Sequence, residues 1–244
     1  MRKMIYALMA LVIFCGTGCF LKKRLSSNGK CIVTISGKES GHDYVDLGLP
    51  SGTKWGTCNI GATKPTEYGD YFAWGETEPK EVYNWDTYKW CENKKVDDEW
   101  GFPNDFTKYC TSSKYGTVDN KKVQDAEDDA ATANWGSAWR MPTRAEQEEL
   151  REGCDWEWVE DFNGSGVNGR LGTSKSNGST IFLPAAGNRS ATHLSLAGNS
   201  GYYWSSSLSE GSSNYANYLD FYDDYIYRNG SDRGRGQSVR AVLR

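Results

Sequence analysis

The sequence predicts an α+β fold, rich in loops and built largely from short antiparallel strands, on three observations. Helical signals are confined to two places, 123–134 and 142–150. Five short strand-like runs follow Gly153. Gly supplies 27 residues against 6 Pro while aromatics reach 14%, so the core should be made of rings and loops rather than Leu and Ala.

The chain opens on a targeting segment. Arg2 and Lys3 are basic, residues 5–14 are apolar, and Gly16-Thr17-Gly18-Cys19 is a small-residue box ending in Cys. That order is the logic of an export signal. Residues 1–18 read as a lipoprotein-type signal peptide, Cys19 as the acylated first residue, and 19–42 as anchor site and linker. An uncleaved anchor over residues 4–21, about long enough to span a bilayer, is the competing reading. Lipidation of Cys19 would tether the protein to a membrane rather than embed it.

No linker-like break follows about Asp43, so 43–244 reads as one domain. A brief strand is expected at 31–35, then loop at 36–41. Residues 44–49 and 54–60 read as strands around the Pro50-Ser51-Gly52 turn, and 68–74 as another aromatic strand-like run. The stretch 76–119 has little period and many rings, which predicts an ordered loop. The helix at 123–134 is Ala- and acid-rich and ends at Gly136. The helix at 142–150 has Pro near its start, acids in its first turns and Gly153 beyond its end. Strands follow at 180–183, 202–206, 218–222, 225–228 and 238–243.

The tail carries the strongest functional signal. From Asn214 to Arg235 it runs NYANYLDFYDDYIYRNGSDRGR. Tyr offers rigid amphipathic contact at low entropy cost, and Asn, Ser and Gly offer adaptable hydrogen bonding, as in antibody paratopes. Alternation places Leu219, Phe221 and Ile226 on one strand face, with Trp204 and Val239 also assigned to the core. Tyr218, Asp220, Tyr222, Tyr225 and Tyr227 fall on the other face, as an outward row across a hairpin at Asp223-Asp224. Residues 202–235 are the expected ligand-facing surface. Asn217, Asp220, Asp223, Asp224 and Arg228 would orient a ligand by hydrogen bonds beside the Tyr218, Tyr222, Tyr225 and Tyr227 anchors. Ordinary solvent-facing strand tyrosines are the plainer alternative.

Several blocks carry a family resemblance. Asp43 to Trp55 (DYVDLGLPSGTKW), Tyr71 to Glu76 (YFAWGE), Trp139 to Thr143 (WRMPT), Ile181 to Gly187 (IFLPAAG), Gly201 to Ser207 (GYYWSSS) and Gly236 to Arg240 (GQSVR) resemble the Fibrobacter succinogenes major paralogous domain. The resemblance spans about 43–244 in order. It implies a C-type lectin-like fold of the formylglycine-generating-enzyme type, in lipoproteins and surface proteins of Bacteroidota. It therefore also implies a place in the cell envelope of a Gram-negative bacterium, at the outer membrane or cell surface. Arg140-Met141-Pro142-Thr143-Arg144-Ala145-Glu146 looks like the helix start of those enzymes, with Gln147 where Trp is usual. Their late redox cysteines are missing, since no Cys follows Cys154, so their oxidase chemistry is not expected. The tail also resembles the variable surface of diversity-generating retroelement proteins, whose adenine-directed changes interconvert Asn, Tyr, Asp, Ser, Gly and Arg codons.

Other chemistries find little support. A net charge of −4 gives no basic footprint, so nucleic acid is not an expected partner. If Cys15 leaves with the signal and Cys19 carries lipid, five cysteines remain. Cys91 with Cys110 and Cys58 with Cys154 are candidate disulfides, and Cys31 is left over. No C-x-x-C or paired His spacing points to zinc, and no metal or cofactor is expected. Gly164-Ser165-Gly166-Val167-Asn168-Gly169 matches a dinucleotide fingerprint in letters, but its Asn-Gly flanks read as hairpin turns. A binding protein for an unknown protein or glycan is the expectation. A carbohydrate-active enzyme with paired carboxylates within 71–110 and a structural adhesin are the alternatives.

Overall fold

A computed structural model describes residues 31–92 and 103–243. Residues 1–30, which include the expected signal segment, Cys15 and Cys19, lie outside the described residues, and no helix among those described is long and apolar enough to cross a membrane. Strands β1 (Gly37–Glu39), β2 (His42–Asp46) and β3 (Lys54–Gly56) join β4 (Trp139–Arg140) and β13 (Val242–Leu243) in one sheet, ordered β1-β2-β3-β13-β4. Val242 lies opposite both Trp55 and Arg140, so early and late strands close on each other. A meander of β5 (Cys154–Val159), β6 (Gly169–Ser174) and β7 (Thr180–Pro184) follows. Next come a small hairpin of β8 (Asn188–Ser190) and β9 (His193–Ser195), and a second meander of β10 (Gly201–Leu208), β11 (Tyr215–Phe221) and β12 (Ile226–Asp232). With α1 (Ala130–Trp135) and α2 (Arg144–Gly153), this is the α+β, strand-rich and loop-rich architecture expected.

Local chemistry explains the helices. Thr143 caps α2 by accepting from the Glu146 amide, and the Glu146 carboxylate accepts in return from the Thr143 amide at 2.8 Å. Burial alone would raise the Glu146 carboxyl, but Arg140 and Thr143 hold it at about 2. Gln147 is buried and donates to the carbonyls of Tyr203 and Trp204, fixing α2 on β10. The single helix expected at 123–134 is instead a 3₁₀ turn at Ala126–Asp128 followed by the shorter α1. Asp129 is the cause: its carboxylate accepts from the Thr132 amide at 2.9 Å and from the Met141 amide at 2.8 Å, so it starts a new helix rather than continuing one.

Three further expectations are corrected. Residues 31–41 belong to the folded body rather than to a linker: the Thr34 amide donates to Thr180 O at 3.0 Å and the Ser36 amide to Tyr44 O at 2.8 Å. Strand and loop there are exchanged, with β1 at Gly37–Glu39 and a left-handed turn at Ser40-Gly41. The run 68–74 is not a strand, because its pairing reduces to one bridge between Phe72 and Gln237. The glycine-rich run at 164–169 is the turn it was read to be: Gly164 and Gly166 have φ of 78° and 74°, and Gly169 opens β6.

The core has two halves on either side of the β10-β11-β12 sheet. Trp74, Trp135, Trp139, Trp204 and Tyr218 pack on one side. Val45, Leu150, Ile181, Leu219 and Phe221 pack on the other, under α2. Strand β11 is consequently buried on both faces. The alternation predicted a half-buried strand, and that expectation fails because each face finds a distant partner.

Candidate functional site

The register of the last meander builds a row of rings on one face. Asp220 lies opposite Tyr202 on β10 and Tyr227 on β12, while Tyr218 lies opposite Trp204 and Asn229. Cross-strand partners share a face, so these side chains meet. The Tyr202 and Tyr218 rings are 5.8 Å apart, Tyr202 and Tyr222 6.4 Å, Tyr222 and Tyr225 4.9 Å, and Tyr225 and Tyr227 5.2 Å. A hydroxyl–hydroxyl bond of 2.6 Å joins Tyr202 to Tyr222. The turn closes through the Tyr222 amide donating to Tyr225 O at 3.1 Å. Five tyrosines thus form one continuous ladder.

A carboxylate sits in that ladder. Asp220 is only 5% exposed, and its Oδ1 has no hydrogen-bond partner. Burial pushes its carboxyl up to about 6, and burial together with the Asp220 charge pushes up the Tyr218 hydroxyl. No ion pair joins Asp220 to a described Lys or Arg. Of the cations near the ladder, Arg235 pairs with Asp232 and Arg228 with Glu148, while Arg170 donates through Nε to Tyr222 O and keeps a buried Nη2 without a partner.

The expected contact row therefore needs correction residue by residue. Tyr227 is 59% exposed, Asp223 and Asp224 are exposed, and Tyr222 and Tyr225 are half-buried. Tyr218, at 7% exposure, and Asp220 are instead the floor beneath them. Asn217 is largely buried with its amide donating to the Leu208 and Ser207 carbonyls, so it holds the strands, and what remains accessible borders a separate 710 Å³ cleft beside Arg228 and Glu148 rather than the tyrosine row. Arg228 points away from the row, because its register partners Tyr203 and Leu219 lie on the α2 side, where it pairs with Glu148. Trp204 and Val239 are buried in one half of the core, Leu219 and Phe221 in the other, and Ile226 packs partly buried against the latter.

A cleft of 560 Å³ opens beside the ladder. Tyr202 and Tyr218 form part of its wall, and Tyr215, Asp232 and Arg235 line it further along. Asn188, Ser190, Ser195 and Leu196, from the β8–β9 hairpin and its exit, close the opposite side. Sequence reasoning missed this hairpin; its one local signal was the turn-prone Asn188-Arg189-Ser190.

The remaining candidates resolve differently. Cys31, Cys58, Cys91, Cys110 and Cys154 all stand as thiols, so the Cys91–Cys110 and Cys58–Cys154 bridges are absent. Cys91 and Cys110 do share one buried cluster, but the Cys91 thiol donates to Asp105 Oδ1 at 2.8 Å and the Cys110 thiol to Ser112 O at 3.1 Å. Burial pushes both Cys58 and Cys154 up, Cys154 to about 12. Among the described residues, Asp125, Glu127 and Asp128 are close enough to share a metal ion. Lys108 Nζ already occupies that position, at 2.7, 3.0 and 2.6 Å from the three carboxylates. Of the aromatic segment's acids, Glu81 lines a 400 Å³ cleft together with Asp70, which lies just before the segment, and with Lys80 and Arg189.

No protein-family model, no curated protein and no solved structure gives a significant match to this chain.

Proposed function

We propose that the chain is an exported, lipid-anchored binding protein of C-type lectin-like fold that holds a protein or glycan ligand on its C-terminal tyrosine face. One observation carries this reading. Tyr222, Tyr225 and Tyr227 stand in ring contact at the accessible end of a ladder whose inner members, Tyr202 and Tyr218, border an open cleft. Clustered, partly exposed tyrosines on a rigid sheet offer large contact area at low ordering cost. The six sequence blocks support the fold and the family, and the composition of 214–235 suits diversification by a retroelement. Acylation of Cys19 would hold the domain at the cell envelope with this face free.

The test is retention on glycan and peptide arrays by the wild-type protein and by Tyr225→Ala/Tyr227→Ala. Ligands kept by the first and lost by the second support the reading. Identical retention removes it. Incorporation of an alkyne fatty acid that disappears in Cys19→Ser checks the anchor separately.

A second reading, a carbohydrate-active enzyme, draws on Asp70 and Glu81 sharing one cleft. It requires hydrolysis of chromogenic glycosides that is lost in Asp70→Asn and in Glu81→Gln.

A further inference from the structure

Resting on the binding-surface reading, we infer that the Asp220 face is a receptor for an alkylated ammonium group, such as the trimethylammonium head of a ligand. Three features of the face converge on that chemistry. It is electron-rich: the rings of Tyr202, Tyr218, Tyr222, Tyr225 and Tyr227 run in contact around one carboxylate. An aromatic face attracts a cation within about 6 Å of its centroid, and Tyr supplies such a face. The carboxylate is buried with Oδ1 unpartnered, so its charge is not neutralised within the fold. The face also borders the 560 Å³ cleft through Tyr202 and Tyr218, which gives the rest of a ligand somewhere to lie.

The same features select among cations. A calcium or magnesium ion takes six or more oxygens in direct contact, whereas the Asp220 Oδ1 among these rings is buried and Asp232 in the adjoining cleft is paired with Arg235. A hydrated primary ammonium must donate its N–H groups to acceptors, and Asp220 Oδ1 is too deeply buried for direct donation. An alkylated ammonium has few or no N–H groups to satisfy. It gains from ring faces and from the field of a nearby carboxylate without touching it. The protein sets a cation against ring faces elsewhere too, with the Arg233 guanidinium 4.5 Å from the Phe106 centroid and 5.0 Å from that of Trp74, although there its N–H groups are also hydrogen-bonded.

The experiment is saturation-transfer NMR on the protein with tetramethylammonium chloride, beside tert-butanol as a neutral probe of similar shape. Saturation of tetramethylammonium alone is expected. Asp220→Asn should weaken it about tenfold, Tyr227→Ala about threefold, and Tyr227→Phe hardly at all, since Phe keeps the ring face. Equal saturation of the two probes, equal affinity of wild type and Asp220→Asn, or no saturation of either probe would overturn the assignment. Tyr227 is exposed, so its variants remain informative should Asp220→Asn fail to fold. A protein that ignores tetramethylammonium but still loses its array ligands in Tyr225→Ala/Tyr227→Ala keeps the binding-surface reading and loses only this inference.

Discussion

Two aromatic clusters in this molecule treat charge in opposite ways. In the segment 71–117, Arg233 is fully buried among Trp74, Tyr88, Phe106 and Tyr109. Its guanidinium donates to the Tyr88 hydroxyl and to the carbonyls of Lys108, Tyr109 and Ser213, at 2.9–3.1 Å. That guanidinium is hydrogen-bonded through all three of its nitrogens, and it ties the described part of the aromatic segment to the last meander. In the tyrosine ladder the charge is a carboxylate, and nothing among the described residues completes it. A buried charge left unsatisfied costs stability. Where a fold keeps such a group beside an open cleft, the charge is better explained by a task than by packing.

The largest effect should come from the Arg233 cluster. Arg233→Met orphans three buried carbonyls and empties the ring box, at roughly 1–3 kcal/mol for each unsatisfied acceptor. We expect a loss of about 4 kcal/mol or more in urea unfolding, with near-UV circular dichroism showing the aromatic segment loosened. Arg233→Lys should recover only part of it, since Lys lacks the planar fork. A loss below about 1 kcal/mol would mean that water or a neighbour takes over the carbonyls and that the cluster does not depend on its cation. Tyr218 comes next, because it is floor and not rim. Tyr218→Ala should cost roughly 3 kcal/mol as a core ring deletion, and Tyr218→Phe much less. A Tyr218→Ala protein of wild-type stability would return Tyr218 to the exposed row.

The ladder should respond with the opposite sign at Asp220. Its carboxyl is raised to about 6 in the folded protein against 3.8 unfolded. Between these values the folded state holds the proton more tightly, so stability falls as pH rises through the window and the penalty is complete above it. Asp220→Asn removes the penalty. It should stabilise the protein by about 1 kcal/mol at pH 7, after allowance for solvent screening, and leave stability at pH 3 unchanged. Equal effects at both pH values would show that lost contacts, rather than charge, govern the substitution. A gain at neutral pH paired with loss of tetramethylammonium binding would mark Asp220 as a residue kept for function at the expense of stability.

Local signals made half of this legible. The Pro-led, acid-rich start of α2, the hairpin at Asp223-Asp224 and the glycine turns of 164–169 depend on a few consecutive residues, and all three lie where the sequence placed them. Burial did not follow from local pattern. Leu219 and Tyr218 alternate as inward and outward residues of a half-buried strand should, but α2 covers one face and the Trp74–Trp139–Trp204 core covers the other. Arg228 has the same history: the tail composition suits a paratope, while register turns its side chain to Glu148 on α2. Strand β5 was missed because Trp156 and Trp158 alternate with acids directly after a helix, with no turn residue between to announce a new element. The cysteines misled for a physical reason as well, since buried thiols can settle on carboxylate and carbonyl acceptors instead of pairing.

The smallest expected change in stability tests the comparison most sharply. Tyr225 and Tyr227 touch each other at the exposed end of the ladder, and neither is a member of a buried core cluster. Replacing both with Ala should alter unfolding free energy by about 0.5 kcal/mol or less, the range of surface substitutions away from special features. A clear drop in melting temperature would instead make the ladder a packing device like the Arg233 cluster, with its outer rings shielding Asp220 from water. Unchanged stability with lost array ligands would separate the two clusters by purpose. One aromatic box is closed by its own cation and holds the chain together. The other is built on a carboxylate, open at its tyrosine rim, and on that outcome would draw its complement from outside the chain.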